Sequence, residues 1–217
     1  MLISDLHKFI FISNPKTGTS AIQKFLMSNV EDVLMNQLPE SINGEKEITG
    51  LDEHIKTKSL KKIIEEDWSD FKVFTFVRNP YNKAVSTYFF YKNGKPITRR
   101  DNQRYWVAKL NVILARFIPF SLWSLLFPLK TNEEYLFDEQ GKLMVDYVGR
   151  TECLEEDLTR ILNELNISVD KEILIDKANT SSHKSADHYF KFKLHDRLFK
   201  WKYKNDFELY EIISKNS

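Results

Sequence analysis

The chain has 217 residues, of which 42% are hydrophobic and 29% charged, a composition that supports a packed domain and argues against general disorder. Its formal net charge is +1, so no overall basic excess indicates a nucleic-acid partner, and any anion site must come from local placement of charge. The single cysteine, Cys153, excludes an intrachain disulfide framework and a cysteine-based zinc cluster, and it is typical of a reducing compartment.

The first residues, 1–8, lack the basic start, the apolar stretch and the small-residue cleavage site of a secretory signal. We therefore predict a cytoplasmic protein, unless a membrane anchor lies outside the sequence. One apolar segment, 112–130, is interrupted by Arg116, Pro119 and Pro128, whereas a membrane-spanning helix needs about 20 largely apolar residues. The sequence thus predicts no transmembrane segment. We interpret 112–130 as buried or substrate-facing, with peripheral membrane contact as the alternative.

The first apolar run, residues 8–13, is short and rich in aromatic and β-branched residues, which predicts a strand. A polar loop with a proline and a glycine follows at 14–20. From Ala21 to Met27 the apolar residues recur at helical spacing. The pattern is typical of a strand, a tight loop and a helix.

The same order recurs at residues 72–77, a nearly continuous apolar run of the kind that is buried on both faces of a parallel sheet. Asn79 is suited to cap the helix that follows, and Pro80 is suited to its first position. We predict that this helix runs through Tyr88.

A third strand is predicted at 144–148, followed by an amphipathic helix at 154–165 and a helical layer over about 187–213. Short apolar strands that alternate with helices indicate an α/β domain with a mainly parallel sheet. Ligands of such sheets bind at the carboxyl ends of the strands, where both proline-containing loops fall.

The loop at 14–20 has the parts of a phosphate-binding loop. Gly18 permits close approach of the backbone, the next helix offers unsatisfied N–H groups, and Lys16 adds a positive charge. Hydroxyl donors come from Thr17, Thr19 and Ser20. In an ATP- or GTP-binding loop the lysine follows the second of two glycines, whereas here it precedes the loop's only glycine. The pattern therefore predicts an anion loop of another kind.

Residues 15–20 resemble the 5′-phosphosulfate loop of sulfotransferases that depend on 3′-phosphoadenosine 5′-phosphosulfate (PAPS), and residues 76–81, with Ser86 downstream, resemble their 3′-phosphate segment. The similarity is closest to the carbohydrate (Golgi-type) sulfotransferases and their bacterial relatives. Further similar segments lie at 148–157 and 206–209. The resemblance touches segments between residues 8 and 210 and leaves about 92–142 uncovered.

This resemblance implies a single sulfotransferase domain over residues 1–217, with a variable helical insertion around 92–142. It implies a three-layer, P-loop-like α/β fold whose central, mainly parallel sheet is flanked by helices. The implied reaction moves a sulfonate from PAPS to a hydroxyl of a carbohydrate, either a glycan or a glycolipid, and needs no metal. The lack of a membrane anchor in the sequence distinguishes the chain from the Golgi enzymes and favours a soluble protein of the bacterial type, unless an anchor lies outside the sequence.

The resemblance also implies roles for individual residues. Lys16 would contact the bridging and sulfonate oxygens and neutralise the charge that develops on the leaving phosphate, while Arg78 and Ser86 would bind the 3′-phosphate. The 5′-phosphosulfate would be held by Thr17, Gly18, Thr19 and Ser20. Lys184, in a polar loop similar to one that closes over the nucleotide, would lie near the donor. Sulfonate transfer, like phosphoryl transfer, depends mainly on positioning and electrostatic stabilisation, which these residue types supply.

The acceptor hydroxyl needs a base, and His54 is the predicted one. It precedes a predicted helix at 57–66, in the interval where many carbohydrate sulfotransferases carry their base histidine. Asp52 and Glu53 are alternative bases, and His183 is a rival histidine. A solvated histidine at a helix start is the structural alternative.

Two other functions stay open at this point. One is a nucleotide or small-molecule kinase with a degenerate P-loop, which the order of lysine and glycine and the lack of a clear magnesium carboxylate disfavour. The other is a non-catalytic nucleotide-binding protein, which the joint presence of Lys16, Arg78, Ser86 and His54 disfavours. Taken singly, Lys16 and Ser20 could merely cap a helix, and Arg78 could be a surface ion-pair residue.

Overall fold

The computed structural model describes residues 1–43, 50–94, 103–169, 173 and 183–215, with the side chains of 43 and 103–108 excepted. The chain forms two compact units. The first comprises Met1–Arg78, Asn132–Asn179 and Leu209–Ser217, and the second comprises Asn79–Thr131 and Thr180–Glu208.

The strands of the described residues all belong to the first unit and form one five-stranded sheet in the order β3-β1-β2-β4-β5. They are β1 (Leu2–Ser4), β2 (Phe9–Ile12), β3 (Val33–Met35), β4 (Lys72–Val77) and β5 (Tyr147–Arg150). β2, β4 and β5 run parallel, whereas β1 is antiparallel to both of its neighbours. The two long apolar runs therefore form parallel neighbours, as predicted, within a sheet that is mixed rather than wholly parallel.

The helices in chain order are α1 (Thr19–Asn29), α2 (Glu40–Asn43), α3 (Thr57–Ile64), α4 (Pro80–Asn93), α5 (Gln103–Phe117), α6 (Phe120–Leu126), α7 (Glu133–Leu136), α8 (Leu154–Glu164), α9 (Ala186–Tyr189), α10 (Lys193–Lys202) and α11 (Lys204–Lys215). Three of the helix boundaries follow from local geometry. α1 begins after Gly18, whose φ is 77°. α4 opens at Pro80 because the Asn79 side chain accepts a hydrogen bond from the Tyr81 N–H at 3.0 Å. α3 ends at Ile64, before Glu65 at φ 56°, rather than at residue 66.

Side chains that alternate along β2 supply two separate cores in the first unit. Phe9 and Phe11 pack with apolar residues of α1 and α8, whereas Ile10 and Ile12 pack with apolar residues of α3 and α7. Successive residues of a strand point to opposite faces, so helices cover both faces of the sheet. The continuous apolar character of β2 and β4 is the consequence of this double burial.

β5 begins three residues later and ends two residues later than the segment 144–148 in which the third strand was predicted. Pairing begins at Asp146, whose N–H donates to the Val73 carbonyl at 2.7 Å and whose carboxylate accepts from the Val73 N–H at 2.8 Å. The strand then includes Gly149, where an added Cβ would lie only 2.5 Å from the Phe76 ring. A glycine is needed there because that ring occupies the space of a side chain.

The second unit is helical and has its own aromatic core, with Tyr88 of α4, Trp123 of α6 and Phe199 of α10 at its centre. The Tyr88 hydroxyl donates to the Ile118 carbonyl at 3.0 Å, which ties α4 to the end of α5. α10 and α11 confirm the helical layer that was predicted towards the end of the chain. No helix in the described part of the chain is both long and apolar enough to cross a bilayer.

Candidate functional site

The loop between β2 and α1 is shaped by its own threonines. The hydroxyls of Thr17 and Thr19 both donate to the Asn14 carbonyl, each at 2.8 Å. Two residues of the loop have left-handed backbone, Lys16 at φ 65° and Gly18 at φ 77°. The threonine hydroxyls that were predicted to hold an anion thus fix the curvature of the loop in this structure. Donors for an anion then come from the N–H groups at the start of α1 and from the exposed Ser20.

Gly18 is required for two reasons. Its φ lies in the region that side chains with a Cβ rarely adopt, and a Cβ added there would lie 2.7 Å from Leu154 Cδ1 and 3.6 Å from Thr151 Cγ2. The turn between β5 and α8 therefore packs directly behind the loop. Arg150, at the end of β5, holds that turn through paired bonds to the buried Asp157 carboxylate, at 2.9 and 3.1 Å.

Two cationic side chains meet at the loop. Arg78, at the end of β4, donates from Nη1 to the Lys16 carbonyl at 3.1 Å. Burial lowers the pKa of Lys16, and the positive charge of Arg78 lowers it further. Burial also lowers the pKa of Arg78, partly offset by the negative charge of Glu152. A bound anion would relieve this cost, because it supplies the opposite charge that both groups need.

The Arg78 guanidinium has one buried N–H donor that the described residues do not use. Its Nε is buried and has no hydrogen-bond partner among the described residues. A planar guanidinium with an unused N–H beside a phosphate-type loop is suited to paired charge-assisted bonds with a phosphate. The predicted anion-binding role of Arg78 therefore fits its surroundings.

Asn132 joins the ends of β2 and β4, and no sequence signal singled it out. Its Oδ1 accepts from Asn14 Nδ2 at 3.2 Å and from the Arg78 N–H at 3.4 Å, while its Nδ2 donates to the Arg78 carbonyl at 3.0 Å. Asn14 Nδ2 also donates to the Phe76 carbonyl at 3.0 Å. The side chain of Asn132 is fully buried. One amide thus sets the position of the anion loop relative to Arg78.

His54 lies beside Ser13, the residue before the anion loop. Its Nδ1 is 2.8 Å from the Ser13 carbonyl oxygen. Because a carbonyl can only accept, Nδ1 carries the proton in the neutral ring and Nε2 carries the lone pair. The imidazole is therefore held in the tautomer that a general base needs at Nε2.

Asp52 and Glu53, the alternative bases, directly precede His54 in the chain. Asp52 accepts the His54 backbone N–H at 2.9 Å, so it shapes the turn, and both Asp52 and Glu53 are exposed. Thr57, at the start of α3, donates its hydroxyl to the Tyr135 carbonyl, and Lys56 forms an ion pair with Glu134 at 2.6 Å. These contacts anchor the histidine segment on α7.

The structure places the remaining predicted residues in the second unit. Ser86 is buried within α4, and Lys184 is exposed just before α9. The rival histidine, His183, bonds through Nδ1 to the Lys184 carbonyl at 2.9 Å, and its ring stacks on Phe89 with centroids 5.3 Å apart. Of the predicted site residues, the first unit therefore brings together His54, the anion loop and Arg78.

Among the described residues, no group of three or more His, Cys, Asp or Glu side chains is placed to hold a metal ion. A comparison with protein families matches residues 1–211 to the model of the sulfotransferase family. A relative from Archaeoglobus fulgidus, named only as an uncharacterized protein, is 30% identical over 109 residues, which is 49% of this chain and 77% of the relative.

Proposed function

This chain belongs to the sulfotransferase family, and from that premise we propose that it transfers a sulfonate group from PAPS to a hydroxyl of a carbohydrate, either a glycan or a glycolipid. The observation that carries the proposal is the contact between Arg78 and Lys16 of the phosphate-type loop, which places two positive charges close together. The His54 imidazole is hydrogen-bonded to the residue before that loop. The residues present fit a donor that carries two separate anionic groups.

The fold supports the same proposal. The anion loop and Arg78 follow the parallel neighbours β2 and β4, at the carboxyl edge where α/β sheets bind ligands. Helices on both faces of the sheet agree with a three-layer, P-loop-like arrangement. We propose that residues 1–217 act as one sulfotransferase domain, with the acceptor-specific insertion around 92–142.

In the proposed reaction the acceptor oxygen attacks sulfur, the bond between sulfur and the bridging phosphate oxygen breaks, and the acceptor proton moves to Nε2 of His54. Lys16 neutralises the negative charge that grows on the phosphate as it leaves. The N–H groups at the start of α1 and the Ser20 hydroxyl hold the 5′-phosphosulfate in line for the attack. The products are the sulfated acceptor and 3′-phosphoadenosine 5′-phosphate.

Arg78 gives the proposed site its preference for a nucleotide with a 3′-phosphate. Its buried Nε is the donor available for that group, and a fixed guanidinium binds phosphate through paired bonds that lysine cannot reproduce. Ser86 and Lys184 remain predicted donor contacts on the basis of the resemblance.

The deciding experiment is calorimetric binding of 3′-phosphoadenosine 5′-phosphate and of 5′-AMP to the wild type and to Arg78→Ala. The wild type should bind the bisphosphate tightly and 5′-AMP weakly. Arg78→Ala should weaken bisphosphate binding by about 10- to 100-fold, because a hydrogen bond to a charged group contributes about 1.5–3 kcal/mol. Arg197→Ala, which removes an exposed arginine of α10, is the matched control and should change nothing.

Equal binding of the two nucleotides, or no binding of either, would contradict the proposed donor. Phosphate transfer that requires magnesium would instead support a kinase. Bisphosphate binding without turnover on any hydroxyl acceptor would support a nucleotide-binding protein without catalytic activity.

A further inference from the structure

The second unit carries an apolar stripe on the solvent side of α10. Leu194, Leu198 and Trp201 are 70%, 43% and 79% exposed. Their spacing of four and three residues places them on one face of the helix. His195 and Phe199 occupy the opposite face and are buried in the aromatic core. The helix is therefore apolar on two faces, of which only one is covered.

The same pattern continues on the two neighbouring helices. α6 packs against both α5 and α10. On α6, Leu122 and Leu126 are exposed one turn apart, while Phe120 and Trp123 fill the core. On α5 the exposed apolar side chains follow helical spacing as well, and they are Leu110, Ile113 and Phe117. Large exposed apolar patches of soluble proteins mark binding surfaces, and these stripes lie on helices that pack against one another, so they indicate such a surface.

Positive charge is concentrated on the segment that carries the α10 stripe. Residues 191–204 contain six lysines or arginines and one aspartate, a formal charge of +5 in a chain whose net charge is +1. The six are Lys191, Lys193, Arg197, Lys200, Lys202 and Lys204. Lys202 donates to the Leu125 and Phe127 carbonyls at 2.7 and 3.1 Å, which fixes α10 against the end of α6. Because exposed apolar side chains lie beside this excess of positive charge, the partner of this surface must be both apolar and negatively charged.

We propose that this surface, formed by the exposed stripes of α10, α6 and the end of α5 with the basic residues of 191–204, binds the surface of a lipid bilayer that contains anionic lipids. Leucines and a tryptophan on one helical face, flanked by lysine and arginine, are the composition of an interfacial helix. A second copy of the chain would bring two +5 segments together, which like-charge repulsion disfavours. A soluble polyanion would match the charge but leave the leucines in water. The alternative interpretation of 112–130, peripheral membrane contact, becomes part of this surface, with α10 as its charged part.

The test uses the full-length chain and flotation with lipid vesicles. Vesicles of phosphatidylcholine with about 30% phosphatidylglycerol should carry the protein upward, whereas pure phosphatidylcholine should bind it far less. Leu194→Ser with Leu198→Ser should lower the partition coefficient about 100-fold, from about tenfold for each leucine. Arg197→Gln should lower it about fivefold, because one positive charge near an anionic surface is lost. The matched control is Leu6→Ser, at an exposed leucine of the first unit.

Trp201 reports directly on whether the stripe enters the bilayer. The chain has four tryptophans, so the measured emission is their sum. With anionic vesicles that contain brominated lipid, this emission should be quenched, and Trp201→Phe should remove the part of the quenching that belongs to Trp201 while flotation is retained. Melting curves by circular dichroism should confirm that the variants remain folded, as expected for substitutions at exposed positions.

Absence of flotation with anionic vesicles would overturn the proposal, as would equal flotation of wild type and the double serine variant. Loss of self-association in the serine variant, measured by light scattering without lipid, would assign the surface to a second copy and reject the bilayer. The outcome does not depend on the proposed donor, because no substitution touches Lys16, Arg78 or His54.

Discussion

Replacing Gly18 by alanine should damage the protein through two separable costs. The left-handed backbone of this residue, at φ 77°, costs a residue with a Cβ about 1–2 kcal/mol. The added Cβ would also lie 2.7 Å from Leu154 Cδ1, and overpacking of this kind costs about 1–3 kcal/mol. The expected loss in the free energy of unfolding is therefore about 2–5 kcal/mol, measured by urea denaturation.

The chain offers a control that isolates the first cost. Gly141 has the same φ of 77°, but a Cβ added there would meet nothing within 4 Å. Gly141→Ala should lose only about 1–2 kcal/mol. The difference between the two alanine variants measures the contact with Leu154.

A double-mutant cycle tests the contact itself. Leu154→Ala removes the atom that the new Cβ would meet, so Gly18→Ala with Leu154→Ala should be less destabilised than the sum of the single variants, by about 1–3 kcal/mol. Binding of 3′-phosphoadenosine 5′-phosphate should be weakened by Gly18→Ala and partly restored in the double variant, because the loop returns towards its original position. Additive losses, within about 0.3–0.5 kcal/mol, or equal losses for Gly18→Ala and Gly141→Ala, would refute the steric explanation.

His54→Gln should lower turnover by about 10²- to 10⁴-fold and leave bisphosphate affinity unchanged. His188→Gln, at an exposed histidine, is the control, and unchanged turnover in His54→Gln would show that His54 is not the base. Asn132→Ala removes the side-chain amide that hydrogen-bonds the backbone N–H and carbonyl of Arg78. It should lower the free energy of unfolding by about 2–4 kcal/mol and weaken bisphosphate binding. Asn29→Ala, which loses one hydrogen bond to its own helix, is the control and should change only stability. Because the folded-state pKa of Lys16 is lowered, the unfolded chain binds more protons between that pKa and 10.5. Stability of the ligand-free protein should therefore gain from Lys16 as pH rises through this window, and Lys16→Met should remove that gain while abolishing turnover; an unchanged pH profile would contradict the burial argument.

The sequence alone predicted the strands and helix starts whose residue pattern lies within the element itself. The continuous apolar runs predicted β2 and β4 because both strands are buried on two faces, and Asn79 with Pro80 marked the start of α4. β1 and β3 have only three residues each, too few to show a period, and they are antiparallel to the strands beside them. Their pairing depends on contacts distant in sequence.

The position of β5 shows how packing overrides composition. The segment 144–148 is more apolar than the strand that forms, and its first residue, Met144, instead bonds to the Leu136 carbonyl at 2.8 Å. The strand extends through Gly149, which accommodates the Phe76 ring, and Arg150, which Asp157 neutralises. The contact of Gly149 with Phe76 and that of Arg150 with Asp157 could not be predicted from the local sequence.

The candidate site divides in the same way. The phosphate-type loop and Arg78 could be predicted because their residue types and order are local, whereas the threonine bonds to Asn14 and the contact between His54 and Ser13 depend on the folded backbone. Asn132 is 118 residues away from Asn14 and lies in the segment, about 92–142, that the motif resemblance left uncovered. No local pattern could have connected these two asparagines.

The place of Asn132 sets a boundary for engineering a new acceptor preference. Exchanging the whole insertion, 92–142, for that of another sulfotransferase would remove the amide that links Asn14 to Arg78, together with Tyr135, whose carbonyl accepts from Thr57. A chimera that ends its graft at residue 131 keeps these contacts, and the first of the two chain segments of the second unit also ends there. The part of the proposed insertion that can be exchanged without loss of these contacts is therefore shorter than residues 92–142.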